Sequence, residues 1–153
     1  VLIFEDDAVF DPNFKEKFGA YVEELKQIPD WDLFYLGGSP DPSYDGLQQP
    51  SGKRCVQLSP RLYYCPGAIW CIHAYAISHR FYERILALDR RVYFPMDMAY
   101  IHYPDERRRY VLAGELLVEQ DDESYSDVWF SMTPRNAIFT ASYKKAIGEA
   151  VKL

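Results

Sequence analysis

The sequence predicts an α/β fold in which a helix connects two strands of one sheet. Residues 1–4 form an apolar run that is typical of a strand buried on both faces, as in a parallel sheet. Apolar residues then recur at helical spacing over 14–28. Residues 31–36 predict a second strand, which a pair of glycines ends. Because such sheets bind ligands beyond the carboxyl ends of their strands, polar residues at those ends are the first candidates for a site.

The rest of the chain alternates short strands with helices. Residues 39–54 are rich in Pro, Ser, Asp, Gly and Gln, and predict a long loop, which in a compact domain is usually functional or mobile. The further predicted strands are 55–58, 62–65, 110–112 and 116–119, and the further predicted helices are 80–88, 96–103 and 141–153. At 153 residues, the chain is long enough for one domain with a buried core.

Composition narrows the possible partners. Aromatic residues make up 16% of the chain, which suits contacts with sugar or nucleotide rings, although a Tyr-rich core explains them equally well. The net charge of −6 argues against nucleic acid as a partner, because phosphate binding calls for a basic surface. We find no apolar run of about 20 residues, so we predict no membrane span. We see no signal peptide either, and we expect a cytoplasmic protein.

The three cysteines, Cys55, Cys65 and Cys71, are odd in number and match no zinc-binding spacing. We expect them to be reduced thiols in a reducing compartment. A bridge from Cys55 to Cys65 or to Cys71 remains the alternative.

Three consecutive acids, Glu5, Asp6 and Asp7, follow the first predicted strand. Side chains two positions apart in an extended chain point the same way, so Glu5 and Asp7 can share one cation. Mg²⁺ and Mn²⁺ prefer carboxylate oxygens and usually bind a phosphate as well. The alternative is a solvated acidic turn followed by a capping Asp.

Two later segments are further candidates. Asp97 lies between two methionines, and an Asp buried in such surroundings is a candidate general base. The alternative role for Asp97 is a helix N-cap. Residues 120–128 carry several acids and are either a surface loop or a loop that closes over a donor phosphate or supplies a late metal ligand.

Five blocks in order over residues 1–128 carry a resemblance to a known family. They are V-L-I-F-E-D-D-A-V-F, D-W-D-L-F-Y-L-G-G, A-I-W-C-I-H-A-Y-A-I-S, F-P-M-D-M, and L-L-V-E-Q followed by S-Y-S-D-V. The chain resembles the lipooligosaccharide and procollagen galactosyltransferases, glycosyltransferase family 25. The resemblance implies a GT-A fold, the Rossmann-like fold of nucleotide-diphospho-sugar transferases. We expect one such domain over 1–153, without the family's N-terminal nucleotide-binding segment.

The resemblance also implies roles for the acids and for the late loop. The block after the first strand corresponds to the family's metal-binding acids, so Glu5 and Asp7 are the expected ligands of Mn²⁺ or Mg²⁺. Asp6 is a weaker candidate beside the bound cofactor. Ser126 and Asp127 match the family's Ser-Asp pair, which implies contact with the nucleotide-sugar donor.

For the acceptor side, the resemblance implies that Asp97 is the catalytic base and that Trp70 and Tyr75 line the sugar pocket. Members of the family form β-linkages from UDP-galactose or related donors, which implies inversion at the anomeric carbon. The expected function is therefore transfer of a hexose from a nucleotide sugar to a hydroxyl group of a glycan or protein. The alternatives are a non-catalytic transferase domain that binds glycans or a partner, and a phosphate-processing hydrolase.

Overall fold

The computed structural model describes residues 1–44, 52–87, 96, 100, 109–121 and 135–152, with the backbone alone for 135–139. The strands in this part of the chain are β1 (Leu2–Phe4), β2 (Ala8–Phe10), β3 (Leu33–Tyr35), β4 (Ser39–Asp41), β5 (Val56–Gln57), β6 (Leu62–Cys65), β7 (Ala68–Trp70), β8 (Ala74–Ile77), β9 (Tyr110–Ala113), β10 (Val118–Gln120) and β11 (Val151–Lys152). The helices are α1 (Phe14–Leu25), α2 (His79–Leu86) and α3 (Arg135–Gly148).

Seven of the described strands form one mixed sheet in the order β1-β8-β3-β9-β6-β5-β11. The pairs β3–β9 and β5–β11 are parallel, and the other neighbours are antiparallel. Two small ribbons, β2–β10 and β4–β7, lie outside this sheet. The α/β class is confirmed, and the mixed sheet is compatible with a Rossmann-like fold. Because β1, β3 and β9 run in the same direction, their carboxyl ends share one edge of the sheet.

Helices pack on both faces of the sheet. Successive residues of a strand point to opposite faces. Tyr35 therefore joins the core that contains Phe81 of α2 and Tyr143 of α3, whereas Phe34 faces Tyr21 of α1. Both faces of β3 are covered, which places this strand at the centre of the hydrophobic core.

The prediction that the first strand is buried on both faces is wrong. β1 is the end strand of the described sheet, and Leu2 and Phe4 are each 37% exposed. The Phe4 ring packs against Phe10 and Phe14, with ring centroids 4.8 and 6.1 Å apart. The apolar side chains of β1 thus pack in an aromatic cluster beside α1 as well as in the sheet.

Asp32, at the amino end of β3, is fully buried in a network of charged groups. Its carboxylate accepts a hydrogen bond from Arg80 Nε at 2.9 Å and another from the Arg109 backbone N–H at 2.8 Å. The Arg84 guanidinium lies 3.5 Å away. Arg80 also pairs at 2.8 Å with Asp30, whose side chain is 67% exposed. These hydrogen bonds and ion pairs link α2 to the amino ends of β3 and β9.

The structure tests the predicted loop over 39–54 and the predicted absence of a membrane span only in part. The predicted long loop includes β4, and 45–51 lie outside the described residues. None of the described helices has the length and apolar character needed to cross a membrane. A cytoplasmic location stays a prediction.

Candidate functional site

The three acids form a turn that connects β1 to β2. The turn spans Asp6 and Asp7, and the Ala8 N–H points back to the Glu5 carbonyl at 3.3 Å. The backbone here is therefore not extended. The prediction that Glu5 and Asp7 point the same way as alternate residues of a strand is wrong. Because β2 pairs with β10, the turn lies between the main sheet and the β2–β10 ribbon.

The turn meets the ends of two other strands at the same sheet edge. The Glu5 N–H donates to the His73 carbonyl at 2.9 Å, just before β8 begins. The Leu36 N–H donates to the Ala74 carbonyl at 3.0 Å, which brings Gly37 beside the start of β8. The acids at the end of β1 and the glycine pair at the end of β3 therefore lie at one edge of the sheet, with His73 between them.

Gly37 makes room for the buried ring of His73. A Cβ at Gly37 would overlap His73 Nε2 and the Val118 carbonyl oxygen. These two atoms lie 2.9 Å apart in a hydrogen bond that joins β8 to the β2–β10 ribbon. Burial lowers the pKa of His73, and this effect outweighs the Val118 carbonyl and the charge of Asp7, which raise it. The ring is therefore neutral at pH 7.

Asp7 has the most distinctive surroundings of the three acids. Its Oδ2 accepts a hydrogen bond from Gln120 Nε2 at 3.2 Å, and its carbonyl accepts one from the Asp121 N–H at 2.8 Å. Its Oδ1 is buried and has no hydrogen-bond partner among the described residues. A buried carboxylate oxygen is costly until a proton, a water molecule or a cation satisfies it. Asp7 is thus the acid best placed to bind a cation.

The donor set suits a hard divalent cation only in part. Within the described ranges, no three His, Cys, Asp or Glu side chains are grouped so that they could hold a metal. Mg²⁺ and similar ions are usually held by one or two carboxylates, with substrate phosphates and water completing the shell. The half-buried Asp7 and the exposed Glu5 fit that description. Mn²⁺ or Mg²⁺ at Glu5 and Asp7, with Asp6 beside them, stays a prediction.

The two aromatic candidates lie in different surroundings. Tyr75 is only 6% exposed, and its ring packs against Tyr35 and Tyr100, with centroids 6.2 and 5.8 Å away. Burial raises the pKa of Tyr75. Trp70 is half-buried on β7 and packs against Tyr44, with ring centroids 5.2 Å apart. Trp70 therefore has more surface to offer a sugar than Tyr75, and both roles stay predictions.

The predicted base, Asp97, and the predicted donor contacts, Ser126 and Asp127, lie outside the described residues. Their roles therefore stay predictions as well.

Three residues of this edge were missed as parts of a site: Gly37, His73 and Gln120. The sequence carries a signal for two of them. A glycine pair follows directly after a buried strand, and a single histidine interrupts an apolar run. Gln120 carries no comparable signal, because its contact with Asp7 depends on the pairing of β10 with β2.

Comparison with known proteins shows a distant likeness to one curated protein. The chain is 27% identical, over 180 aligned positions, to a protein of Bos taurus named "Probable inactive glycosyltransferase 25 family member 3". The chain is thus a distant relative of a glycosyltransferase 25 family member. The alignment covers the whole chain but only 29% of that relative's length. No protein-family model matches the chain, and no solved structure does.

Proposed function

We propose that the chain forms part of a metal-dependent, inverting glycosyltransferase. It moves galactose or a related hexose from a UDP-sugar to a hydroxyl group of a glycan or protein. One observation carries the proposal: Asp7 presents a buried oxygen with no hydrogen-bond partner among the described residues, at the carboxyl end of β1. The distant relationship to a family 25 member supports the sugar-transfer class.

The described residues suggest how the donor end of the site is organised. Asp7, with Glu5, would hold a divalent cation that offsets the charge of the departing nucleoside diphosphate. Gln120 occupies Asp7 Oδ2 and so leaves Oδ1 as the ligand atom. His73 links the turn to β10, because its carbonyl accepts the Glu5 N–H and its buried ring hydrogen-bonds to the Val118 carbonyl.

The remaining roles in the proposal come from the family pattern. Asp97 removes the proton of the acceptor hydroxyl as that oxygen attacks the anomeric carbon. Ser126 and Asp127 contact the donor, and the half-buried Trp70 offers a ring face to a sugar.

The proposal is tested by calorimetric titration of the full chain with UDP, with and without Mn²⁺. UDP is expected to bind only when Mn²⁺ is present, and to raise the unfolding temperature in the same samples. Asp7→Asn is expected to weaken this binding at least about tenfold, since metal affinity falls by that factor even when an outer-shell partner is lost.

The matched control is Asp30→Asn, the same substitution at the opposite end of the sheet. Asp30 has a backbone φ of 64°, which Asn tolerates well. This control is expected to bind UDP like the wild type. Equal UDP binding by wild type and Asp7→Asn, or binding that ignores Mn²⁺, would contradict the proposal.

The second candidate is a non-catalytic transferase domain that binds glycans or a partner protein. The name of the bovine relative, which describes that protein as probably inactive, favours it. This candidate predicts glycan binding that survives EDTA and is unchanged in Asp7→Asn. A glycan-array measurement with and without EDTA separates it from the transferase.

A further inference from the structure

Cys55 and Cys65 form a cross-strand pair away from the candidate site. β5 and β6 are antiparallel, with Val56 opposite Tyr64. Extending this register by one residue places Cys55 directly opposite Cys65. Directly opposite residues in an antiparallel pair project to the same face of the sheet. Both cysteines accordingly lie in one core cluster, together with Tyr143 of α3.

The hydrogen-bond pattern shows which kind of pair they form. The Leu58 N–H donates to the carbonyl of Leu62, the residue opposite it, at 2.8 Å. Hydrogen-bonded and non-hydrogen-bonded pairs alternate along an antiparallel ladder, so Cys55 and Cys65, three positions along, form a non-hydrogen-bonded pair. The Cys55 carbonyl supports this assignment, because it points away from β6 to β11 and accepts the Val151 N–H at 2.9 Å.

This geometry is compatible with a disulfide bond. Cα atoms of a non-hydrogen-bonded pair are about 4.5 Å apart, and disulfides span Cα distances of about 4.4–6.8 Å. Both thiols are buried and free, and the Cys65 thiol donates to the Ala68 carbonyl at 3.9 Å. The neighbouring Cys55 thiol, together with burial, raises the pKa of Cys65. Cys71, in contrast, is half-buried in the loop between β7 and β8, in a left-handed backbone conformation.

We propose that Cys55 and Cys65 are a covalent modification site that becomes a disulfide when the chain folds in the presence of glutathione disulfide. One cysteine thiolate attacks glutathione disulfide, forms a mixed disulfide and releases one glutathione. The second cysteine thiolate then attacks the protein sulfur of that mixed disulfide and releases the other glutathione. The protein loses two protons and two electrons, and glutathione disulfide is reduced to two thiols. Because the native thiols are buried, the exchange takes place before the core closes.

The disulfide would link β5 covalently to β6 and so stabilise β5, the strand that pairs with β11. It closes the short loop 55–65, which restricts the unfolded chain. We expect the urea midpoint of the oxidised chain to exceed that of the reduced chain by about 1 M.

The test is oxidative refolding of the full chain. The protein is unfolded in urea with reductant, refolded in buffers of graded glutathione redox ratio, and alkylated under denaturing conditions. Intact mass is expected to show one alkylated cysteine and the loss of two hydrogens. Non-reducing peptide mapping is expected to join the Cys55 and Cys65 peptides.

Two variants serve as controls. Cys71→Ser is expected to form the same bond and to leave no cysteine for alkylation, whereas Cys65→Ser is expected not to form it. If Cys65→Ser does not refold, the Cys71→Ser mass decides the question alone. Three alkylated cysteines at every glutathione ratio, or a linked peptide that contains Cys71, would overturn the proposal. The experiment measures no sugar transfer, so its result is independent of the proposed function.

Discussion

Replacing Asp32 by Asn is expected to lower the free energy of unfolding by about 3 kcal/mol. The substitution keeps the size of the side chain but removes the buried charge that faces Arg80 and Arg84. Breaking a buried ion pair usually costs about 3–5 kcal/mol. The lower end applies because both arginines are about a third exposed and Asn still accepts the Arg109 N–H. Urea unfolding followed by tryptophan fluorescence measures the change.

Asp30→Asn is the matched control for this experiment, because Asp30 pairs with the same Arg80 from an exposed position. Exposed ion pairs contribute less than about 1 kcal/mol. The two variants are therefore expected to differ severalfold in their loss of stability. Equal losses would show that burial of Asp32 does not determine the strength of the network.

Replacing Gly37 by Ala is expected to lower the free energy of unfolding by about 3 kcal/mol, the upper end of the range for overpacked cores. The added methyl group would overlap the His73 ring and the Val118 carbonyl oxygen. The carbonyl belongs to β10 and cannot move aside without disturbing its pairing with β2. Urea unfolding measures the loss, and the His73 imidazole NMR signals are expected to shift as the ring is displaced.

Gly19→Ala gives the same chemical change in open surroundings. Gly19 lies within α1, and a Cβ there would have no atom within 4 Å. Because Ala favours helix over Gly by up to about 1 kcal/mol, this variant is expected to be more stable than the wild type. A loss of stability in both variants would show that the steric argument for Gly37 is wrong.

Six of the described strands were predictable from local sequence, namely β1, β3, β5, β6, β9 and β10, but their places in the sheet were not. The other described strands were missed, and the helix predicted over 141–153 is wrong at its end, because the described helix ends at Gly148 and Val151–Lys152 form β11. Short apolar runs bounded by Pro, Ser and Gly gave 62–65 with the observed bounds of β6 and placed β5 and β9 to within two residues. V-L-I-F and L-F-Y-L are similar in composition, yet β3 is buried on both faces and β1 lies at the end of the described sheet. The difference depends on which strands pair beside them, and those partners are distant in sequence.

The same limit applies to the candidate site. A run of acids after a strand was enough to predict the acidic end of β1, because it depends on neighbouring residues only. The hydrogen bond from Gln120 to Asp7 joins residues 113 positions apart. No local pattern predicts such a contact, and His73 and Gly37 meet only because β8 lies between β1 and β3.

The order of the strands also has a consequence for biosynthesis. Asp32 and Arg109, at the start of the parallel pair β3–β9, are 77 positions apart. At about 5–20 residues per second, translation supplies β9 several seconds after β3. During that interval β3, which is fully buried in the folded chain, has no partner on one side. The nascent chain is therefore expected to depend on chaperones until β9 emerges from the ribosome.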